Sequence, residues 1–542
     1  MQKATDGGYT CQIVNSLGQP IYLYSRYKPL ETAQKNIGKI KFNEYKNYLV
    51  LGLGLGYELN ELYKRVKDNF EQIIVIEKEP ELFNMYLYSG DQREVLADSR
   101  VTFVIGGMEI LALPKESLFV VENPNLVAVD PGYYKNVIRS IDFAIKREMA
   151  RKVVVFEHIT FAGDVSQALT QLGYAVEKIS ISPDLDDMAK RIRSIAPLFI
   201  FSINFNRHLL RIAEYLQIPY VSWTVDTPSL DLFNHHNKSP WALLFIYEKE
   251  VVEQLRKDGF NNVFYLPAAA NVFRNDLINI LEQDTERFQC DLSFIGTTGL
   301  DNEFRKFYQG RLEPKLAEEL EKICATQLEN PNEYLIPRTF QHHELDITQL
   351  AYRQSGIRLG GENYISDKLR FAYVLAKEAC ARWRLGVIEQ ILIKYKIHIY
   401  GDKGWEQYLK QPNLVFQGFA EHFTEVPKIY KLSKINLNLT RIYVQSGLPM
   451  RVFDTLAAGG FLLTNHKKDL EDLFEPGKDL IIFSDEKEML EAIEYYLHRK
   501  EEREAIAVRG YETVKTKHTF FQRIQEVLYI LRKRDFTGRV GD

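Results

Sequence analysis

The chain has 542 residues, enough for three or four domains with sizeable cores. Its 69 basic and 73 acidic side chains leave a net charge of −4, so it carries no electrostatic footprint for nucleic acid. Cys11, Cys290, Cys324 and Cys380 stand far apart with no C-x-x-C or paired-histidine spacing, which argues against a disulfide framework or a zinc site.

The opening Met-Gln-Lys-Ala-Thr-Asp lacks an apolar signal core and no apolar run reaches spanning length, so a cytoplasmic, non-transmembrane protein is expected. A hairpin is predicted over Cys11–Val14 and Ile21–Tyr24 around Leu17-Gly18-Gln19-Pro20. Strands follow at Tyr48–Leu51, Gln72–Ile76, Val101–Ile105 and Leu118–Val121, and 133–152 reads as an amphipathic connector helix. A second α/β block has strands at Val153–Phe156, Leu198–Ser202, Tyr220–Val225, Leu243–Tyr247 and Val263–Leu266. A third begins at Asp291–Gly296 and resumes at Ile397–Tyr400, Asn413–Phe416, Ile435–Leu439 and Phe461–Thr464. The stretch from about 305 to 393 is too long for a simple crossover and reads as a helical insertion; 486–534 reads as consecutive helices. Strands alternating with helices predict α/β layers with parallel sheets, divided as 1–150, 151–288 and 289–542.

Several strand ends carry candidate chemistry. Gly52, Gly54 and Gly56 follow the first parallel strand and Glu77 closes the next. This suits a nucleotide or S-adenosylmethionine fold, or a Rossmann-like scaffold that keeps its tight turn without a ligand. His158 after Val153–Phe156 and Asp226 after Tyr220–Val225 are candidate catalytic bases, with a structural histidine and an Asx-turn as the alternatives. His235-His236 has no metal-ligand spacing and reads as a loop. Gly296, Gly401 and Asp402 lie at strand ends where a nucleotide can be approached, or where a plain turn is needed. Arg384 could reach a phosphate, but Arg382 and Arg384 are expected on a solvated helix face. Residues 447–464 form a helix closed by Gly459-Gly460 and followed by a strand, with Ser446 or Gly447 as cap and Pro449 in the first turn. Val452, Phe453, Leu456 and Ala457 share one face and Arg451 and Asp454 the other. That polar face is either merely solvated, or a site where amides near Gly447 and Arg451 hold phosphate and Asp454 holds a ribose. Arg441 points toward the same crevice, and two arginines there suit a departing diphosphate.

The run Leu448-Pro449-x-Arg451-Val452-Phe453-Asp454-x-Leu456-Ala457-x-Gly459-Gly460, with Leu473–Lys478 and His518-Thr519-Phe520 after it, resembles the CgeB-like glycosyltransferases. Phe294-Ile295-Gly296, Ile399–Asp402 and Ser222–Pro228 extend the likeness over about 153–535. This resemblance implies a GT-B fold, in which two facing Rossmann-like domains divide the work: the second holds a nucleotide-sugar and the first presents the acceptor, usually without metal. It places Asp454 where relatives hold the donor ribose and Ser446 where many retaining relatives carry a glutamate. Leu23–Ala33, Leu51–Tyr57 and Ile76–Pro80 resemble the N-terminal part of the motility accessory factor (Maf) flagellin glycosyltransferases, which implies a flagellin-type protein acceptor.

The resulting expectation is a GT-B protein preceded by an extra Rossmann-like domain. It would be a metal-independent glycosyltransferase needing no cofactor beyond its nucleotide-diphosphate sugar donor and acting on a protein Ser/Thr hydroxyl. Arg441, Arg451 and Gly447 would hold the diphosphate, with Gly296, Gly401 and Asp402 also at the donor site. Asp454 would take the ribose, and Asp226 or His158 the acceptor proton. The alternatives are a methyltransferase–glycosyltransferase fusion and a catalytically degenerate GT-B scaffold.

Overall fold

The computed structural model describes residues 1–14, 20–39, 45–106, 118–130, 133, 134, 137, 151–234, 237–343, 346–358 and 367–534. The turn residues Leu17-Gly18-Gln19, nearly all of the connector helix expected over 133–152, and His235-His236 lie outside the described residues. The chain divides into two compact units, residues 1–150 with 170–174, and residues 151–169 with 175–542.

In the first unit, β1 (Gln2–Lys3) pairs antiparallel with β2 (Tyr9–Thr10), and β3 (Gln12–Val14) with β4 (Pro20–Tyr22). The main sheet is parallel: β5 (Asn47–Leu51), β6 (Gln72–Glu77), β7 (Val101–Ile105) and β8 (Leu118–Glu122), in the order β7-β6-β5-β8. All five residues of β5 are buried, as expected for a central parallel strand covered on both faces.

The second unit holds two six-stranded sheets. The first contains β9 (Arg151–Phe156), β10 (Tyr174–Ile179), β11 (Ile200–Ile203), β12 (Tyr220–Thr224), β13 (Ala242–Ile246) and β14 (Val263–Tyr265), ordered β10-β9-β11-β12-β13-β14. The second contains β15 (Cys290–Ile295), β16 (Ile397–Tyr400), β17 (Leu414–Gly418), β18 (Ser433–Asn438), β19 (Leu462–Asn465) and β20 (Ile481–Phe483). Its order is β17-β16-β15-β18-β19-β20, and every pairing is parallel. Strand order reverses between β15 and β18, the doubly wound dinucleotide-fold arrangement that opens a crevice at the carboxyl ends of those two strands. The outer strands β10 and β20 are not among those read from the sequence.

Between β15 and β16 the chain forms the helices Glu303–Phe307, Pro314–Glu329, Ile336–His342, Ile347–Ser355 and Asp367–Lys394. The last runs 28 residues, and side chains around most of its circumference are buried, including Phe371, Leu375, Glu378, Arg384 and Ile388. Glu378 sits inside because Arg305 (2.7 Å), Arg382 (2.8 Å) and Asn302 (3.0 Å) all donate to it. At the end of the chain, helix Phe520–Lys533 returns to the first of these two domains. The amide of Ala270 donates to His518 O at 3.1 Å, Arg523 donates to Pro267 O at 2.9 Å, and the Phe520 ring packs on Phe161 and Trp223. Two facing Rossmann-like domains joined by a returning C-terminal helix constitute the GT-B fold. No helix among the described residues is long and apolar enough to cross a membrane.

Candidate active site

Between the two sheets of the second unit lies a cleft of about 290 Å³. His158, Asp226 and Thr227 line it from the first domain and Arg384, Arg441, Arg451 and Asp454 from the second. Each follows from the topology: His158 is two residues past β9, Asp226 two past β12 and Arg441 three past β18, all at carboxyl strand ends. Arg451 and Asp454 project from the first turns of helix Met450–Ala457. The opposite face of that helix, Val452, Phe453 and Leu456, is anchored in a core with Leu462, Phe474 and Val514.

Three guanidinium groups converge here, and among the described residues none forms an ion pair. Arg384, expected on a solvated face, is instead only 2 % exposed. Its amino groups donate to Thr297 O (3.0 Å) and Leu439 O (2.7 Å), while its buried Nε has no partner. Burial pushes this arginine down to about 10, and the neighbouring Arg441 and Arg451 add to the effect. The unneutralised charge of Arg384, held inside the protein, is costly; a diphosphate would relieve it and take charge-assisted hydrogen bonds from exposed Arg441 and half-buried Arg451 as well. Gly296 stands against this cluster: a Cβ there would come within 3.7 Å of Arg451 Nη1.

Asp454 lies on the same wall, half-buried. Burial pushes its carboxyl up to about 7, with Asp164 adding to the rise and Arg274 and Arg451 opposing it. Ile295, Val426, Tyr430 and His422 also line the cleft and offer a largely apolar surface of the kind a nucleobase occupies. The loop bearing His422 is held by Arg274, which lies 4.7 Å over the Phe423 ring and pairs with Asp164 at 2.6 Å.

Across the cleft, exposed Asp226 is held by Asn204. The Asn204 side chain donates to Asp226 Oδ2 at 2.6 Å and accepts from the amides of Val225 (3.0 Å) and Asp226 (3.3 Å). Asn204 adopts the left-handed conformation (φ 60°) to do this. The Thr160 amide donates to His158 Nδ1 at 3.4 Å, which in the neutral ring leaves the proton on Nε2. Burial holds this imidazole below its ordinary value, with Asp226 close enough to oppose the shift.

The remaining strand-end residues stand elsewhere. Asp402 accepts from the Thr298 amide (2.6 Å), the Thr298 hydroxyl (2.8 Å) and the Gly404 amide (2.9 Å), so it ties two turns together and does not line the cleft. Gly401 packs on Gly296: a Cβ there would meet the Gly296 carbonyl oxygen at 2.2 Å. The expected cap is corrected too, since Pro449 is the N-cap residue of the helix and neither Ser446 nor Gly447 caps it. Gly447 sits where the two domains touch; a Cβ there would lie 2.6 Å from Tyr247 O and 2.7 Å from Glu248 Cγ. Ser446 is fully buried in the same seam, its Oγ accepting from the Glu250 amide at 3.2 Å and donating to Asp469 at 3.2 Å.

Glu248, which the sequence did not single out, is the centre of that seam. It is fully buried and accepts from Gln445 N (2.5 Å), Ser446 N (3.2 Å) and the Thr227 hydroxyl. Lys467, also buried, donates to Val444 O at 2.8 Å, and burial pushes it down to about 8. The signal for Glu248 is its place two residues past the buried strand β13, the same cue that marks His158 and Asp226. Among the described residues no three His, Cys, Asp or Glu side chains cluster as a metal site.

In the first unit the glycine loop is roofed by its own side chains. Gly54 (φ 56°) and Gly56 (φ 76°) need the left-handed region, and a Cβ on them would meet Tyr24 Oη at 2.7 Å and the Tyr86 ring at 2.2 Å. Fully buried Glu77 accepts from the amides of Gly54 (2.9 Å) and Glu79 (3.0 Å), which occupies the oxygens that a ribose would need.

Residues 382–529 match the family model described as "Glycosyl transferase-like", and residues 22–115 match the "Glycosyltransferase Maf N-terminal domain". Together with the two-domain fold and its cleft, these matches define the class: the chain is a glycosyltransferase. A ribosomal RNA small subunit methyltransferase A from Blochmanniella floridana is 24% identical over 123 residues, 22% of this chain, and the chain spans only 44% of that relative's length. Among solved structures, HepE from Anabaena in complex with UDP and glucose is similar at 10% identity and TM-score 0.42, covering 71% of this chain and 100% of that one. Sucrose-phosphate synthase from Thermosynechococcus elongatus is similar at 9% identity and TM-score 0.41, covering 71% and 98%.

Proposed function

We propose that this enzyme moves a sugar from a nucleoside-diphosphate sugar to a Ser or Thr hydroxyl of a protein, of the flagellin type implied by the Maf-like N-terminal region. The observation that carries the reading is the convergence of Arg384, Arg441 and Arg451, unpaired, beside Asp454 and opposite Asp226 in one cleft. Asp454 accepts from the ribose hydroxyls, the arginines hold the diphosphate, and the wall from Ile295 to Tyr430 takes the base.

In the transfer, the acceptor oxygen forms a bond to the anomeric carbon as the bond from that carbon to the phosphate oxygen breaks. The nucleoside diphosphate departs with the electron pair, into the field of the three arginines. The acceptor proton passes to Asp226, which Asn204 holds at the cleft. His158 has its Nδ1 engaged by Thr160, so its Nε2–H donates a hydrogen bond to the bound sugar and does not take the proton. Direct displacement with Asp226 as base inverts the anomeric configuration, in keeping with a buried serine at position 446, where a retaining relative would present a glutamate. The roofed glycine loop supports a docking role for the N-terminal unit and not methyl transfer.

The test is intact-mass analysis of a candidate flagellin incubated with the enzyme and a panel of nucleotide sugars. A sugar-sized mass increase with one donor, accompanied by release of nucleoside diphosphate, is expected. Donor consumption with no mass increase would refute the protein acceptor.

A further inference from the structure

A second cavity, of about 390 Å³, adjoins the donor cleft. The two share Asp226, Thr227, Tyr247 and Tyr443, so the carboxylate assigned as base stands at the passage between them. One wall belongs to the first GT-B domain and includes Phe233 and Gln254. The facing wall comes from the helical insertion: Tyr334, Arg338, Gln341, Leu369 and Tyr373. The insertion therefore supplies more than scaffold, because two of its helices, Ile336–His342 and Asp367–Lys394, close a space that opens onto the base.

We propose that this cavity is the acceptor channel, and that it takes a peptide segment whose Ser or Thr hydroxyl reaches Asp226 while an adjacent apolar or aromatic side chain lies among the insertion's rings. The inference rests on the glycosyl-transfer reading above. Two observations favour a peptide over a glycan. First, the lining holds two carboxylates, and Glu248 is committed to Thr227, Gln445 and Ser446, which leaves Asp226 to serve one hydroxyl and not the several of a sugar ring. Second, the body of the cavity is aromatic, with Tyr373 and Tyr443 packed edge to face at 5.1 Å. Gln254 and Gln445 are paired with each other at 2.7 Å, and the exposed amide of Gln341 can bond a peptide backbone. Exposed Arg338 stands at the rim.

The experiment fills the channel with Leu369→Trp, and separately with Gln341→Trp at an exposed position where folding is not at stake. Donor affinity and donor hydrolysis in water are measured alongside transfer to a library of Ser/Thr peptides with varied neighbours and to a panel of oligosaccharides. Wild-type enzyme is expected to label peptides, preferring those with an aliphatic or aromatic neighbour. Each variant is expected to lose at least about tenfold in peptide kcat/KM and to shift its preference toward small neighbours, with donor affinity within about twofold. Unchanged peptide kinetics in both variants, or labelling of oligosaccharides instead of peptides, would overturn the channel while leaving donor chemistry intact. A wild-type enzyme that neither binds nor hydrolyses any nucleotide sugar would instead sink the glycosyl-transfer reading, and the channel with it.

Discussion

Donor binding should depend on pH through Asp454. Its carboxyl, ordinarily near 3.8, is pushed up to about 7 by burial in the cleft. That rise corresponds to roughly 4 kcal/mol of preference for the neutral form. Ribose hydroxyls donate to the ionised carboxylate, so a bound donor lowers this value again and binding below pH 7 releases a proton. The sign follows: affinity is full above about pH 8 and falls as pH drops, with a slope approaching one logarithm per pH unit, or about tenfold by pH 6 and about a hundredfold by pH 5. The two facing histidines cannot imitate this. His158 and His422 are both held below their ordinary value by burial, and protonating either adds positive charge near the phosphates, which strengthens binding. Tyr430, pushed up to about 12, does not titrate in this range. Titration calorimetry with a nucleotide sugar, from about pH 5.5 to 8.5 in buffers of different ionisation enthalpy, reads both affinity and proton release. Asp454→Asn should bind more weakly at high pH and show no slope. A wild-type affinity independent of pH, or a slope that survives in Asp454→Asn, would refute the assignment.

Arg451→Ala should lower kcat/KM for the donor by about a hundredfold, since it removes a charge-assisted contact to the leaving group, and Arg451→Lys should recover part of the loss. Unchanged kinetics in the alanine variant would place the diphosphate elsewhere. Asp226→Asn should reduce kcat by about 10²- to 10⁴-fold with donor affinity within about twofold, measured by calorimetry and initial rates. Glu248→Ala strands the Thr227 hydroxyl and the amides of Gln445 and Ser446 in the domain seam. At about 1–3 kcal/mol for each unsatisfied buried group, the thermal midpoint should fall by several degrees, and an unchanged midpoint would contradict the seam. S-adenosylmethionine should give no saturable heat of binding, because Tyr24, Tyr86 and the Gly54–Glu77 contact fill its loop; binding lost on Glu77→Ala would show that the roof opens.

The α/β framework was legible because central parallel strands must be apolar on both faces: β5, β12 and β13 are buried at every position and read as uninterrupted runs. The outer strands β10 and β20 were not, since β10 is buried only at its two ends, with the charged Glu177 and Lys178 exposed between them, and β20 has three residues. Arg384 misled for a related reason. Amphipathic reading assumes one wet face, but helix Asp367–Lys394 is enclosed on most sides, so Glu378 turns inward to accept from Arg305 and Asn302 and Arg384 turns inward to donate to backbone carbonyls. Arg451, Asp454, Asp226 and His158 share a cleft because strand ends converge, a consequence of topology that sequence spacing carries. Asp402 and Gly401 obey the same strand-end rule and Gly447 precedes a helix, yet they serve turns and the domain seam, a difference set by contacts more than a hundred residues away in the chain. Glu248 and Lys467 gave no local cue beyond position, for their roles exist only once the two domains meet.

The most direct test of the donor cleft is a crystal structure of the enzyme with a nucleoside diphosphate. The account predicts phosphate oxygens within hydrogen-bond distance of Arg384, Arg441 and Arg451, the ribose hydroxyls on Asp454, and the base against the surface between Ile295 and Tyr430. A nucleotide bound in any other place, or phosphates that leave all three arginines untouched, would contradict it.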